Sequence, residues 1–421
     1  MIKVSFPELN LSFPAEPGIN LLNLAQRHSI PLDSYCGGRG TCGKCLVRVE
    51  GQTSPLTPAE EKFLSSSSIE ATERLACQVQ LWGDAEVRFL YAASGKREKA
   101  ERELLGPVAA LDPEIYKLCL SRPDHLRTPS SSTWGILRQV LRERNVRDPR
   151  VDLPALQQLS DPIWSWDLWT LILAGSRLMG IESGETTDQL YGMAFDIGTT
   201  TVVGYLLDLL TGERVGLSSL LNPQAAFGAD VISRISLAST HVSGRQLLQE
   251  RILSALNSLI EEAASSAQIP PTRIYALSFV GNPTMHHLLL GLDPSGLGHL
   301  PYNPVLADPI EVCAQELGIR VHPQAPLFFL PNISGYVGSD IVGGILFTGL
   351  PYREGIALGI DIGTNGEMAL GSRQGILVSS TAAGPAFEGS QIRCGMRAEP
   401  GAISQVFIEE EDLRWKVVGE V

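Results

Sequence analysis

One short pattern occurs twice in the second half of this chain and restricts its fold more than any other feature. Met193-Ala-Phe-Asp196-Ile-Gly198-Thr199-Thr200-Thr201-Val-Val-Gly-Tyr is an apolar run, a tight turn and a returning apolar run. Leu358-Gly-Ile-Asp361-Ile-Gly363-Thr364-Asn365-Gly366-Glu367-Met-Ala-Leu repeats the pattern. Each predicts a β-hairpin whose first strand ends in Asp-Ile-Gly-Thr. Glycine frees the turn so that backbone N–H groups face outward, Thr and Asn side chains add donors, and the turn becomes an anion-binding nest. The predicted phosphate-binding residues are Asp196, Gly198, Thr199, Thr200, Asp361, Gly363, Thr364 and Asn365. Each aspartate can hold a Mg²⁺-bound water opposite the phosphates. One copy would say little, because many hairpins contain it; two copies in matching context are specific. No Gly-x-x-x-x-Gly-Lys-Ser/Thr loop occurs, so this is not a Walker-type ATPase.

A second cluster sits near the N-terminus. Ser34-Tyr35-Cys36-Gly37-Gly38-Arg39-Gly40-Thr41-Cys42-Gly43-Lys44-Cys45 places three cysteines among four glycines, and Cys77 follows in Arg74-Leu75-Ala76-Cys77-Gln78-Val79. Thiolates that share a metal centre must converge from a short stretch, so the backbone has to curl around it, and glycine permits that curl. Backbone N–H groups then approach sulfur and tune the potential. The spacing Cys-x₅-Cys-x₂-Cys with a distant fourth Cys is one residue longer than the plant-type ferredoxin loop. Zinc also suits four thiolates, but zinc sites usually pair two short CxxC units, and only Cys42 and Cys45 form one here. The candidate metal ligands are therefore Cys36, Cys42, Cys45 and Cys77, with [2Fe–2S] favoured. Cys119, Cys313 and Cys394 stand alone and are expected to be small buried hydrophobes.

Composition narrows the function classes. The 421 residues suggest about three domains at roughly 150 residues each. Lys+Arg 33 against Asp+Glu 46 leaves a net charge of −13, which argues against nucleic acid as a partner. No apolar run approaches the roughly 20 residues that span a bilayer. The N-terminus alternates like a strand and lacks a signal-peptide pattern. The expected location is the cytoplasm, where structural disulfides are rare.

Along the chain, Ile2–Phe6 and Leu9–Phe13 predict two strands, and Leu21, Leu22, Leu24 and Ala25 predict a helix capped by Asn20. Dense mixed charge from Ser94 to Glu103 marks a linker or solvated helix surface. Asp112-Pro113-Glu114 looks like a helix start. Residues from about 130 to 180 carry helical signals, with Trp164, Trp166 and Trp169 expected in the core of a small helical unit. Arg138, Arg142, Arg144, Arg147 and Arg150 read as a solvated basic stripe. Between the hairpins, Phe227–Ile235 opens a helix and Leu247–Ile260 forms another. Val280-Gly281-Asn282-Pro283-Thr284-Met285-His286-His287 predicts a strand, a turn and a helix start, its histidines serving capping and core contacts. Asp340 falls at a further helix start, where it either positions an attacking water or acts as an N-cap.

These motifs carry three resemblances. The cysteine loop resembles the adrenodoxin-like [2Fe–2S] ferredoxins of the β-grasp fold. The paired Asp-Ile-Gly-Thr hairpins resemble the actin, hexokinase and heat-shock-chaperone ATPase superfamily, in which two ribonuclease-H-like lobes each supply one phosphate hairpin. Their fusion is similar to the reductive activators of corrinoid proteins, through Tyr35–Cys45, Phe195–Thr201, Val280–His287 and the Ala383–Gly389 and Cys394–Ala398 segments.

The implied fold is α/β and multi-domain. It comprises a β-grasp ferredoxin over 1–92, a charged linker over 93–127, a small helical middle domain over 128–188, and an actin-like ATPase module over 189–421. That family returns cobalt from Co(II) to Co(I) with one cluster electron and ATP, so the resemblance implies a [2Fe–2S] cluster, ATP with Mg²⁺, a corrinoid protein partner and an upstream electron donor. It also suggests a homodimer. The superfamily's second lobe continues beyond its hairpin to a Gly-rich adenosine turn. Here the chain stops at Val421, so the expectation is a truncated second lobe with nucleotide turnover in question. The competing expectation is a ferredoxin-type electron carrier or redox-sensing regulator whose ATPase-like half only binds a partner.

Overall fold

The computed structural model describes residues 1–7, 11–28, 30, 32, 38, 40, 45–64, 72–89, 111–121, 132–160, 166–240, 242–363, 365–382, 403–409 and 412–417. Short alternating strands build the first sheet: β1 (Ile2–Phe6), β2 (Leu11–Ala15), β3 (Ile19–Asn20), β4 (Leu46–Thr53), β5 (Glu73–Leu75) and β6 (Gln80–Phe89). Ile2, Val4 and Phe6 are buried while Lys3 faces solvent, the period of a half-buried strand. The order is β2-β1-β6-β4-β5, with β3 also on β6 and β1 parallel to β6. Helix α1 (Leu21–Arg27) seals its core through Leu21, Leu22, Leu24 and Ala25. Asn20 Oδ1 accepts the Asn23 N–H at 3.2 Å, as expected of a cap.

The middle of the chain departs from the helical expectation. It forms a four-stranded sheet, β7-β9-β10-β8, from β7 (Ile115–Ser121), β8 (Arg150–Val151), β9 (Leu168–Ala174) and β10 (Arg177–Ser183). Asp112-Pro113-Glu114 leads into β7, a strand that falls within the stretch expected to be linker. Six of the seven residues of β9 are buried, and a short continuous apolar run does not distinguish a core strand from a buried helix. The helix signal was sound for α2 (Thr133–Glu143), where Ser132 Oγ accepts the Gly135 N–H at 3.1 Å; α3 (Leu153–Gln158) follows. Trp169 is fully buried with Leu137, Leu141 and Leu171, and Trp166 packs on the same cluster. Trp164 lies outside the described residues. Arg138 and Arg150 pair with exposed Asp148, as a solvated stripe would.

The third sheet runs β13-β12-β11-β14-β16-β15, from β11 (Tyr191–Ile197), β12 (Thr201–Asp208), β13 (Arg214–Leu221), β14 (Ile274–Gly281), β15 (Ile310–Cys313) and β16 (Pro326–Phe329). Strands β11, β14 and β16 are parallel and bring Phe195, Phe279 and Phe329 into register. Their rings stack with centroids 5.3 and 4.9 Å apart. Around this sheet lie α4 (Val231–Thr240), α5 (Val242–Ser266), α6 (Pro283–Leu290) and α7 (Ser339–Thr348). Lys117 of β7 joins the second sheet to the third. Its Nζ donates to Glu182 Oε2 at 2.9 Å, to Thr186 O at 3.1 Å and to the Tyr275 hydroxyl at 2.8 Å.

Beyond α7 come the antiparallel sheet β17 (Ala357–Ile362), β18 (Asn365–Ser372) and β19 (Gly375–Ala382), then the hairpin β20 (Ile403–Glu409) and β21 (Asp412–Val417). Leu358, Ile360 and Ile362 of β17 are exposed. No helix among the described residues is long and apolar enough to cross a membrane. The aromatic stack yields a direct test of the core: Phe279→Ala should cost about 3–5 kcal/mol. In urea the unfolding midpoint should fall while the slope of the transition stays unchanged.

Candidate functional site

The first site is a thiolate pair held by the β5–β6 turn. Cys45 immediately precedes β4, and its carbonyl accepts the Ala76 N–H at 2.8 Å. Cys77 lies in the turn, where its N–H donates to Cys45 Sγ at 3.5 Å. Gln78 Nε2 donates to Cys77 Sγ at 3.4 Å and to Gly38 O at 3.2 Å. Gly40 has φ +70°, and a Cβ there would meet Gln78 Nε2 at 2.8 Å and Ala59 Cβ at 3.0 Å, so glycine is what fits against Gln78 at this position. The Cys45 hydrogen bond lowers the Cys77 thiol to about 6; burial opposes this and Gln78 assists it. A polarised thiol pair with N–H donors aimed at sulfur is a fitting donor set for iron. Cys36 and Cys42 lie outside the described residues, and among the described residues no three His, Cys, Asp or Glu groups converge as a metal site.

Below the turn, a buried ion pair fixes the strand that leads to Cys77. Arg74 Nε donates to Glu60 Oε1 at 2.8 Å and Nη2 to Oε2 at 3.0 Å, while the Leu75 N–H also donates to Glu60 Oε1 at 3.1 Å. Asn20, the helix cap, holds the Cys77 carbonyl at 3.0 Å. Neither Glu60 nor Arg74 stood out in the sequence, because the pairing is made by the fold.

The second site comprises the two hairpin turns and Asp340, whose carboxyl feels the charges of both Asp196 and Asp361. Strand β11 ends past Asp196 in a turn closed by Gly198 N–H to Thr201 O at 3.0 Å. Strand β17 ends past Asp361 in a turn one residue tighter, closed by Gly363 N–H to Asn365 O at 3.0 Å. Thr364 lies outside the described residues. The back of the first turn is pinned: Asn222 Nδ2 donates to Gly198 O at 2.8 Å, the Asn222 N–H to Thr200 O at 2.8 Å, and Arg234 Nη2 to Thr199 O at 2.6 Å. Asn282 Nδ2 adds a bond to Thr199 Oγ1 at 3.1 Å.

Asp340 belongs to this site. Gly338, not Asp340, occupies the N-cap of α7, and Asp340 Oδ1 accepts the Ile341 N–H at 2.9 Å. A Cβ at Gly338 would lie 2.5 Å from Gly281 O, so glycine lets this helix start abut the end of β14. Ser339 Oγ lies 3.0 Å from both Gly281 O and His286 Nε2 and accepts the Gly281 N–H at 3.1 Å. The adjacent His287 accepts the Val305 N–H at Nε2, 2.8 Å away. Both histidines thus make core contacts, as expected. Asp340, Asp361, Glu367 and Arg353 line a cavity of about 400 Å³. Burial, then the negative charges of Asp196, Glu367 and Asp361, push the Asp340 carboxyl up to about 7. Burial and Asp361 likewise raise Glu367, against a hydrogen bond from Ser380.

Glu367, Asn222 and Arg234 escaped the sequence reading. Only Arg234 left a signal, as a charge on the stripe Val231, Arg234, Ile235 and Ala238, whose spacing marks the buried face of a helix.

A carboxyl with a higher pKa folded than unfolded holds its proton more tightly when folded. The Asp340 contribution to stability is therefore complete below its ordinary 3.8 and is lost as pH rises through about 7. In EDTA, Asp340→Asn should flatten the pH dependence of unfolding over that window. The difference from the unaltered chain should not exceed about 1.36 kcal/mol per pH unit, the limit for one proton. Equal slopes in chemical denaturation would place Asp340 outside the carboxylate cluster.

Known proteins resemble this chain over its whole length. The chain matches the 2Fe-2S iron-sulfur cluster binding domain over residues 7–81, the RACo middle region over 191–353, and the C-terminal ASKHA domain of RACo over 355–421. It is 32% identical over 426 residues to the corrinoid activation enzyme RamQ of Eubacterium limosum, covering 100% of this chain and 67% of that protein. It is 28% identical over 238 residues to the [Co(II) methylated amine-specific corrinoid protein] reductase of Methanosarcina barkeri, covering 54% of this chain and 42% of that one. A solved structure titled reductive activator for corrinoid,iron-sulfur protein superposes with a TM-score of 0.68 at 32% identity, covering 100% of this chain and 69% of that chain. The full span of these matches, over a ferredoxin sheet and two Asp-Ile-Gly-Thr hairpins, shows that the chain belongs to the family of reductive activators of corrinoid proteins.

Proposed function

We propose that this chain returns a corrinoid protein from Co(II) to Co(I), using one electron from its [2Fe–2S] centre and nucleotide binding at the hairpin cleft. The observation that carries this reading is the presence in one chain of a polarised thiol pair on a ferredoxin sheet and a carboxylate-lined cavity where α7 meets the second Asp-Ile-Gly-Thr hairpin, with Asp196 of the first in electrostatic reach. The cluster supplies one-electron chemistry when bound, at potentials that for ferredoxins of this general kind lie near roughly −400 mV. Cys36, Cys42, Cys45 and Cys77 hold it, and the Cys77 N–H and Gln78 Nε2 donate to sulfur and stabilise its negative charge. Each 59 mV of uphill transfer for one electron costs a factor of ten in equilibrium constant. A nucleotide-dependent change in how the partner is held offsets that cost.

Gly198, Thr199, Thr200, Gly363, Thr364 and Asn365 would orient the phosphates of a bound nucleotide, and Asp196 and Asp361 would hold the water of its Mg²⁺. Asp340 holds the attacking water at its carboxylate and takes its proton, a role suited to a group titrating near neutrality. The chain further divides into a ferredoxin module up to residue 92 and a middle domain that takes in β7 and runs to residue 188, and it works in the cytoplasm as a homodimer with an upstream electron donor.

The test mixes anaerobic, cluster-loaded chain and a chemical reductant with a Co(II) corrinoid protein from a methyltransferase system, and follows the absorbance of Co(I). Formation of Co(I) should require Mg·ATP. Cys77→Ser should abolish it together with the normal cluster spectrum. Asp340→Asn should retain nucleotide binding yet slow hydrolysis by about 10²-fold or more. Rates indifferent to ATP would remove the cleft from the reaction.

A further inference from the structure

The first phosphate loop is shaped from behind by one side chain that no motif contains. A trans peptide is planar and directs its C=O and N–H to opposite sides. Arg234 Nη2 draws the Thr199 carbonyl inward at 2.6 Å, and Asn222 draws the Gly198 and Thr200 carbonyls to the same interior. The N–H groups of Thr199 and Thr200 are thereby turned to the opposite face, the face on which a nest receives an anion.

Arg234 is fully buried, with none of its surface exposed. Its Nε donates to Gly228 O at 2.8 Å, and Nη1 lies 3.4 Å from Gln224 Oε1 and 3.2 Å from Met285 Sδ. All of these partners, like Thr199 O, are neutral, and Asp230 acts on the guanidinium only through space. A guanidinium stays charged under nearly all conditions, and a buried charge normally sits against a counter-charge. Among the described residues the fold supplies hydrogen bonds and no carboxylate in contact, directly under the first Asp-Ile-Gly-Thr turn.

We infer that Arg234 is a positioning residue for nucleotide binding: it sets the peptide orientation of the first phosphate loop, and the phosphates of the bound nucleotide complete its electrostatic environment. This deepens the nucleotide reading given above and rests on it. Lysine is a poor substitute at such a site, because one ammonium group cannot span the Gly228 and Thr199 carbonyls in the fixed fork of a guanidinium.

The experiment titrates Mg·ATP by calorimetry into the full, cluster-loaded chain and into Arg234→Met, Arg234→Lys and Arg234→Ala. Arg234→Met should raise Kd at least tenfold and Arg234→Lys several-fold. Millimolar guanidinium should recover at least fivefold of the lost affinity in Arg234→Ala, and methylammonium should recover none. A purely structural arginine would lower the melting temperature and the bound stoichiometry while leaving Kd of the folded fraction unchanged. Kd within twofold of the unaltered chain in Arg234→Lys, and in Arg234→Met if it folds, overturns the inference and leaves the nucleotide reading standing. Absence of Mg·ATP binding to the unaltered chain overturns the reading itself, and the inference with it.

Discussion

Negative charge gathered around Asp340 constrains everything built beside the second hairpin. Asp196 closes one parallel strand, Asp361 closes the first strand of the other hairpin, and Asp340 and Glu367 reach the same space from α7 and β18. Like charges brought this close out of water repel, and the shift of Asp340 to about 7 expresses that repulsion together with burial. The neutral scaffold of Gly281, Asn282, His286 and Ser339 holds Asp340 in place without adding charge of either sign.

The ferredoxin module solves the opposite problem. Its sulfurs need surrounding donors, and its backbone must come close to supply them. Hydrogen bonds from the Cys77 N–H and Gln78 to sulfur, the glycine at position 40 and the Asn20 hold on the Cys77 carbonyl all serve that approach. The Glu60–Arg74 pair stands one layer below, satisfied on both sides by further hydrogen bonds, which is the condition under which a buried ion pair is tolerated.

Much of this was legible in the sequence because it is local. The cysteine spacing, the two Asp-Ile-Gly-Thr turns, the Asn20 cap and the Gly-Asn-Pro helix start are each written within a dozen residues, and both modules follow from them. The middle sheet was not legible, since Leu168–Ala174 is apolar at nearly every position and carries no period. Asn222, Arg234, Glu60 and Glu367 were missed for another reason. Their importance lies in partners far along the chain, as Arg234 meets Thr199 and Arg74 meets Glu60 only after the sheets have formed.

The contact between Lys117 and β14 has a mechanical consequence. Lys117 is held by Glu182 and Thr186 on its own sheet and by Tyr275 on the neighbouring one, and Tyr275 in turn donates to Glu182 Oε1 at 2.5 Å. Pulling the two sheets apart would break the bonds that Lys117 and Glu182 make to Tyr275 and open the shared apolar cluster of Ile115, Ile172, Met179 and Tyr275 to water. The middle sheet is therefore a rigid extension of the first lobe rather than a swivel. Strand β7, the first described strand after the ferredoxin sheet, is welded to that lobe, so a rotation of the lobe becomes a displacement at the threshold of the electron-carrying module.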